Sequence, residues 1–176
     1  TRLSANHIFK FDNVSSPCQE LWIESYDGQQ LNGLLFKVDA PKGLVILFHG
    51  NAGSMESWGL VAERFVSFGY HCLIWDYREF GKTGGRLTYQ NMLKDAEAIY
   101  QYGRSEFPEL PVIPYGVSLG SALATHTGAT YQPDKVVLET PFLTMKRLAK
   151  AYFPGLPYEM LLQFRFNNYQ ALKRFN

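Results

Sequence analysis

Cysteine is scarce in this chain: Cys18 near the start and Cys72 inside an apolar run are the two present in 176 residues. They offer neither metal-ligand spacing nor a disulfide framework, and Cys72 reads as a buried thiol. Excess charge of one sign is missing as well. Seventeen Lys and Arg against sixteen Asp and Glu leave a net charge of +1, and no basic run could track a phosphate backbone, so nucleic acid is not an expected partner. No stretch approaches the roughly 20 apolar residues that span a bilayer, and Thr1-Arg2-Leu3-Ser4 lacks the pattern of a signal peptide. The chain is therefore expected to be soluble. It begins without methionine, which leaves room for an upstream anchor or targeting segment; the expected location is cytoplasmic or membrane-associated, the latter through a segment outside these residues. Gly81-Lys82-Thr83 has no earlier glycine at P-loop distance, so no nucleotide site is expected. Nor is any metal or organic cofactor.

What is abundant is core-forming material, 46% hydrophobic and 15% aromatic, enough for one sizeable domain over residues 1–176. Strand and helix patterns alternate, the order that builds a mostly parallel sheet. Leu21 to Tyr26 and Gln30 to Val38 flank Asp27-Gly28 and predict an opening antiparallel hairpin. Leu44 to Phe48 is an unbroken apolar run, followed by His49-Gly50-Asn51-Ala52-Gly53-Ser54 and a helical pattern on Leu60, Val61, Phe65 and Phe68 that Gly69 stops. Tyr70 to Trp75 predicts the next strand. After a glycine-rich loop from Asp76 to Arg86 comes a helix with Met92, Leu93, Ala96, Ile99 and Tyr100 on one face. Val112 to Tyr115, Leu119 to about Ala129, and Val136 to Leu138 complete a strand, a helix and a sixth strand.

The chemical signal lies between the fifth strand and its helix. Gly116, Ser118 and Gly120 have the G-x-S-x-G spacing of a nucleophile elbow, in which a sharp strand-to-helix turn lifts the serine oxygen clear of the backbone. Flanking glycines remove the side chains that would collide there. Ser118 is thus the candidate nucleophile.

Four phrases stand in order between the matching elements: F-H-G-N-A-G-S at Phe48 to Ser54, D-Y-R-E-F-G-K-T at Asp76 to Thr83, Y-G-V-S-L-G-S at Tyr115 to Ser121, and L-E-T-P-F at Leu138 to Phe142. Together they resemble an α/β-hydrolase, more narrowly the serine hydrolases related to protein depalmitoylases and bud-emergence-type hydrolases, often described as prolyl-oligopeptidase-like. The resemblance covers about residues 20 to 145. It implies hydrolysis of an ester or thioester, with an amide also open, through an acyl-Ser118 intermediate on a small-molecule or acylated substrate. It assigns one oxyanion-hole donor to the Leu119 N–H and a second to Asn51 or Ala52, with Asn51 the first choice.

The chain departs from that pattern in two respects. The triad acid and histidine should follow a seventh and an eighth strand, and both strands are expected to be missing before Asn176. An alternative therefore stands beside the enzyme: a non-catalytic binding or scaffold protein that keeps the elbow without a complete triad. Among the histidines, His126 is expected to be structural, His7 and His71 fall outside the site, and His49 is expected to brace the oxyanion loop rather than act as a base. Glu139 is expected to bond to backbone or an arginine, and Asp76 and Arg78 to pair with each other. Glu79 stands where relatives with this motif usually carry glycine, so the loop either strains there or takes another path. From Pro141 onward, aromatic and aliphatic residues crowd a segment read as a lid or crossover over 141–176, serving either as an acyl pocket or as cover for the sheet. Lys146, Arg147 and Lys150 are expected to form a solvated helix face.

Overall fold

The computed structural model describes residues 2–152, 154–155, 157–158 and 162–175. Its six strands are β1 (Cys18–Glu24), β2 (Gln30–Phe36), β3 (Leu44–Phe48), β4 (His71–Trp75), β5 (Val112–Val117) and β6 (Val137–Glu139), in the spatial order β1-β2-β4-β3-β5-β6. Asp27-Gly28 turns the chain between β1 and β2, with Gly28 at φ 79°, a conformation that costs glycine nothing. Both β1 and β4 pair antiparallel with β2; β4, β3, β5 and β6 are mutually parallel. This is the mostly parallel sheet with an antiparallel opening hairpin that the sequence predicts.

All five residues of β3 and all five of β4 are buried, as expected for parallel strands covered on both faces. Leu31, Leu35, Leu44, Ile46, Phe48, Leu73 and Trp75 face α3 (Tyr89–Glu106) and α4 (Gly120–Tyr131). Leu34, Phe36, Leu47, Cys72 and Ile74 face the other layer, where Phe9, Phe11 and Val14 of the N-terminal segment join α1 (Met55–Trp58) and α2 (Glu63–Val66). Helix α3 starts where Thr88 Oγ1 accepts from the Asn91 N–H, and it buries Met92, Ala96, Ile99 and Tyr100 as anticipated.

The layer after β3 differs from expectation. In place of one helix with Leu60, Val61, Phe65 and Phe68 inward, a 3-10 turn at Gly59–Ala62 separates α1 from α2. The buried positions are Met55, Ala62 and Val66, while Leu60 and Phe68 are exposed. Phe11 packs close against this turn, where a Cβ on Gly59 would lie 2.3 Å from its ring. The tighter turn there shifts the helical phase, so a single 3.6-residue period fails. Gly69 at φ 83° ends α2, as read from the sequence.

Beyond β6, α5 (Met145–Tyr152) and α6 (Asn168–Leu172) are held side by side. Thr144 and Asn167 form a bridge, and Met145 N donates to Phe166 O at 3.0 Å.

Candidate active site

Strand β5 delivers Ser118 at its carboxyl end, and the backbone there turns through φ 51° before α4 begins. A serine in the left-handed region is strained by about 1–2 kcal/mol, and here the surroundings impose the strain. The Ser118 N–H donates to Glu139 O of β6 at 3.0 Å, while Ser118 O accepts from Ser121 N at 3.0 Å and Ser121 Oγ at 2.5 Å. The glycines permit this packing by close approach rather than by their own φ. A Cβ on Gly120 would sit 1.9 Å from Phe48 O, and one on Gly116 would sit 2.4 Å from Gly120 O. Ser118 is itself exposed, and its hydroxyl has no protein partner among the described residues.

A cavity of about 470 Å³ opens beside it, lined by Asn51, Leu87, Met92, Ser118, Leu119, Phe142, Met145, Leu148, Leu162, Gln163 and Phe164. Most of that wall comes from the segment after Pro141, so its aromatic and aliphatic residues both cover the sheet and line this space. Sequence reading missed the residue that fastens the segment to the elbow. Asn168, 3% exposed, donates through Nδ2 to Ser121 Oγ at 3.1 Å and to Phe142 O at 2.9 Å. A lone asparagine among aromatics gives no periodic signal that could have flagged it.

Strand β3 runs parallel beside β5, with Phe48 opposite Gly116. This register carries the loop after His49 to the elbow. Asn51 and Leu119 both line the cavity, whereas Ala52 does not and its carbonyl accepts the Trp58 indole N–H at 2.8 Å. Backbone N–H groups of Asn51, Ala52 and Leu119 have no acceptor among the described residues, the state in which such groups can receive an anion.

Under the loop, the His49 ring is fully buried and stacks 4.1 Å from Tyr77. Its Nδ1 lies 2.7 Å from Gly50 O, and Tyr77 donates its hydroxyl to His49 O at 2.6 Å. His49 braces the loop, as expected. Burial pulls its pKa down to about 4, leaving the ring neutral at physiological pH. Asp76, at the end of β4, lies 3.6 Å from His49 Nε2 and accepts the Met55 N–H at 2.9 Å. Burial raises its carboxyl to about 7 against the opposing pull of that N–H. Only glycine fits beside it, because a Cβ on Gly81 would lie 1.7 Å from Asp76 Oδ2.

The expected Asp76–Arg78 pair does not form. Arg78 instead binds Asp95 of α3 through Nε and Nη2, each at 2.8 Å, and Asp27 of the hairpin turn through Nη1 and Nη2 at 2.7 and 2.8 Å. Asp76 instead accepts the Met55 N–H at the start of α1. Glu79 keeps the backbone path that glycine would take, at φ 66°, and its carboxylate accepts the Leu87 N–H at 2.8 Å. Glu139 accepts from Tyr115 Oη at 2.7 Å and Arg64 Nη1 at 3.2 Å, the arginine contact anticipated. His126 pairs with Glu97 at 2.9 Å, His7 with Glu56, and His71 Nδ1 accepts from Val38 N at 3.1 Å. None of the four histidines lines the cavity at Ser118.

A mostly parallel sheet, an exposed serine on a strained strand-to-helix turn and a glycine-flanked loop on the neighbouring strand define an α/β-hydrolase. Residues 39–171 match the family described as serine aminopeptidase, S33, and the chain belongs to that hydrolase family. Among its relatives, the uncharacterized protein Rv2307c of Mycobacterium tuberculosis is 27% identical over 175 residues, covering 97% of this chain and 61% of the relative. Lysophosphatidylserine lipase ABHD12 of Danio rerio is 30% identical over 128 residues, covering 69% of this chain and 32% of the lipase. The chain thus spans less than two thirds of the length of either relative. Among solved structures, the Pyrococcus furiosus esterase Pf2001 superposes with a TM-score of 0.72 at 23% identity, over 91% of this chain and 65% of the esterase. Acetyl xylan esterase from Paenibacillus sp. R4 gives 0.68 at 18% identity, over 88% and 58%. These two share its fold. Among the described residues no helix is long and apolar enough to cross a membrane.

Proposed function

We propose that Ser118 is the nucleophile of a hydrolase that cleaves an ester or thioester, with an amide as the harder substrate. The observation that carries this reading is the exposed Ser118 at φ 51° facing an apolar cavity beside backbone N–H groups that have no acceptor among the described residues. In the reaction, Ser118 Oγ attacks the acyl carbon while its proton passes to a base. Leu119 N–H and the N–H of Asn51 or Ala52 receive the oxyanion. Collapse of the tetrahedral species expels the alcohol or thiol, and water then releases the acid from acyl-Ser118. The acyl chain lies against Phe142, Met145, Leu148 and Phe164.

The reaction needs an imidazole and an orienting carboxylate beside Ser118, and the described residues place neither there. A chain as long as the relatives has room for them. The same observation favours the second reading, an α/β-hydrolase-like binding or scaffold protein that keeps the elbow without turnover.

A fluorophosphonate probe separates the readings. Labelling of the wild type that disappears in Ser118→Ala supports the nucleophile; equal labelling of both removes Ser118 from the chemistry. No labelling of either, in a protein as long as the relatives, supports the binding protein.

A further inference from the structure

Ser118 is gripped through the peptides on both of its sides. Its N–H donates to Glu139 O at 3.0 Å, and its carbonyl accepts twice from one residue of α4, from Ser121 N at 3.0 Å and from Ser121 Oγ at 2.5 Å. The second grip governs more than Ser118. The Ser118 carbonyl and the Leu119 N–H belong to a single planar trans peptide, and in such a unit the two groups point in opposite directions. Fixing the carbonyl toward Ser121 therefore aims the Leu119 N–H the other way, and Leu119 lines the cavity.

What keeps the Ser121 hydroxyl on that carbonyl comes from outside the turn. Asn168, buried at the first position of α6, donates through Nδ2 to Ser121 Oγ at 3.1 Å. A serine hydroxyl has one proton to give, and an amide nitrogen can only donate to it, so the Ser121 proton is left for Ser118 O. The same Nδ2 donates to Phe142 O at 2.9 Å, which commits both of its protons. With its oxygen turned there instead, the amide would meet the Phe142 carbonyl as acceptor against acceptor. Ser121 is itself buried, and its carbonyl accepts Thr125 Oγ1 at 2.6 Å.

We infer that Asn168 is a positioning residue for the oxyanion donor: through Ser121 it orients the Ser118–Leu119 peptide and so directs the Leu119 N–H into the cavity. This deepens the reading of Ser118 as nucleophile and rests on it. The effect falls on the transition state, because charge gathers on the acyl oxygen only as the tetrahedral species forms. The segment that walls the cavity thereby also sets the geometry of the turn.

The test follows fluorophosphonate labelling against probe concentration, on a protein as long as the relatives, for the wild type, Asn168→Leu, Ser121→Ala and the double variant. Circular dichroism establishes that each is folded at the assay temperature, and Asn168→Ser, smaller and still polar, takes the place of Asn168→Leu if that variant does not fold. Losing an oxyanion donor outright costs about 100- to 1000-fold, so a donor that is kept but poorly aimed should cost about tenfold. In Ser121→Ala, which leaves the Phe142 contact in place, the limiting rate should fall by that factor at an unchanged half-saturating concentration. Asn168→Leu should lower the limiting rate equally, and the double variant should be no slower than either single one, because both cuts fall on one chain. An unchanged limiting rate in either single variant, or losses that multiply to about 100-fold in the double variant, would overturn the inference.

Amide hydrogen exchange separates this outcome from the fate of the nucleophile. The Ser121 N–H, bonded to Ser118 O, should exchange faster relative to the β3 amides in Asn168→Leu than in the wild type. Absence of labelling in every form would refute Ser118 as nucleophile, and the exchange would then decide alone whether Asn168 holds this peptide. Equal relative exchange with and without the Asn168 amide overturns the inference.

Discussion

Replacing Asp76 by asparagine should change how stability depends on pH, and the geometry sets the size of the change. Burial lifts the Asp76 carboxyl from 3.8 to about 7. Between those values the folded chain keeps a proton that the unfolded chain has released, so stability falls as pH rises, by about 1.4 kcal/mol per unit. Over the window from about pH 4 to about pH 7 the loss approaches roughly 4 kcal/mol, an upper limit because an ionised carboxylate can draw in water. His49 works the other way. Its pKa falls from 6.5 to about 4, so between those values the unfolded chain binds the extra proton and stability rises with pH. The two neighbours nearly cancel in the wild type. Asp76→Asn retains a carbonyl oxygen for the Met55 N–H, has no charge to lose and leaves the His49 slope exposed. Urea unfolding at a series of pH values should therefore give a variant that gains on the wild type steadily up to about pH 7, then runs parallel. Curves that stay parallel throughout would refute the buried, proton-holding carboxyl.

Substitutions at three further positions probe the elbow and the loop after β4. Gly120→Ala drives a methyl to 1.9 Å from Phe48 O, so backbone must move on both sides; the cost should reach about 3 kcal/mol and lower the melting temperature by about 10 °C, and an unchanged melt would contradict the close packing. Glu79→Ala keeps the left-handed backbone and loses the acceptor of Leu87 N–H, a cost of about 1 kcal/mol, whereas Glu79→Gly relieves strain of similar size and should return close to wild-type stability in the same unfolding assay. Arg78→Ala leaves the Asp95 carboxylate, 1% exposed, without its cation and should cost about 3–5 kcal/mol, measured as a shift in the denaturation midpoint.

Much of the fold was legible because its signals are local. The apolar runs at Leu44–Phe48 and His71–Trp75 announce strands covered on both faces, and the spacing of Met92, Ala96 and Ile99 fixes the inner face of α3. At the site, Gly116-Val117-Ser118-Leu119-Gly120 required a turn too tight for side chains, and the structure carries the strain on Ser118 itself. Where reading failed, a distant residue is in contact. The 3-10 turn at Gly59–Ala62 breaks the helix expected across residues 60 to 68, and no periodicity within that stretch reports that Phe11, from another segment, packs against Gly59.

The sequence by itself determined the order of strands and of the helices α3 and α4, and which serine stands at the turn, since steric limits on neighbouring residues decide those matters. Tertiary structure alone decided partnership. Arg78 meets Asp27 and Asp95 rather than Asp76, and Asn168 reaches back to Ser121 to close the wall of the cavity. Asp76 and His49 shift their proton affinities because both are sealed under one loop. Such contacts join residues far apart in the chain, and only the order β1-β2-β4-β3-β5-β6, a product of how the layers pack, brings them within reach of a hydrogen bond.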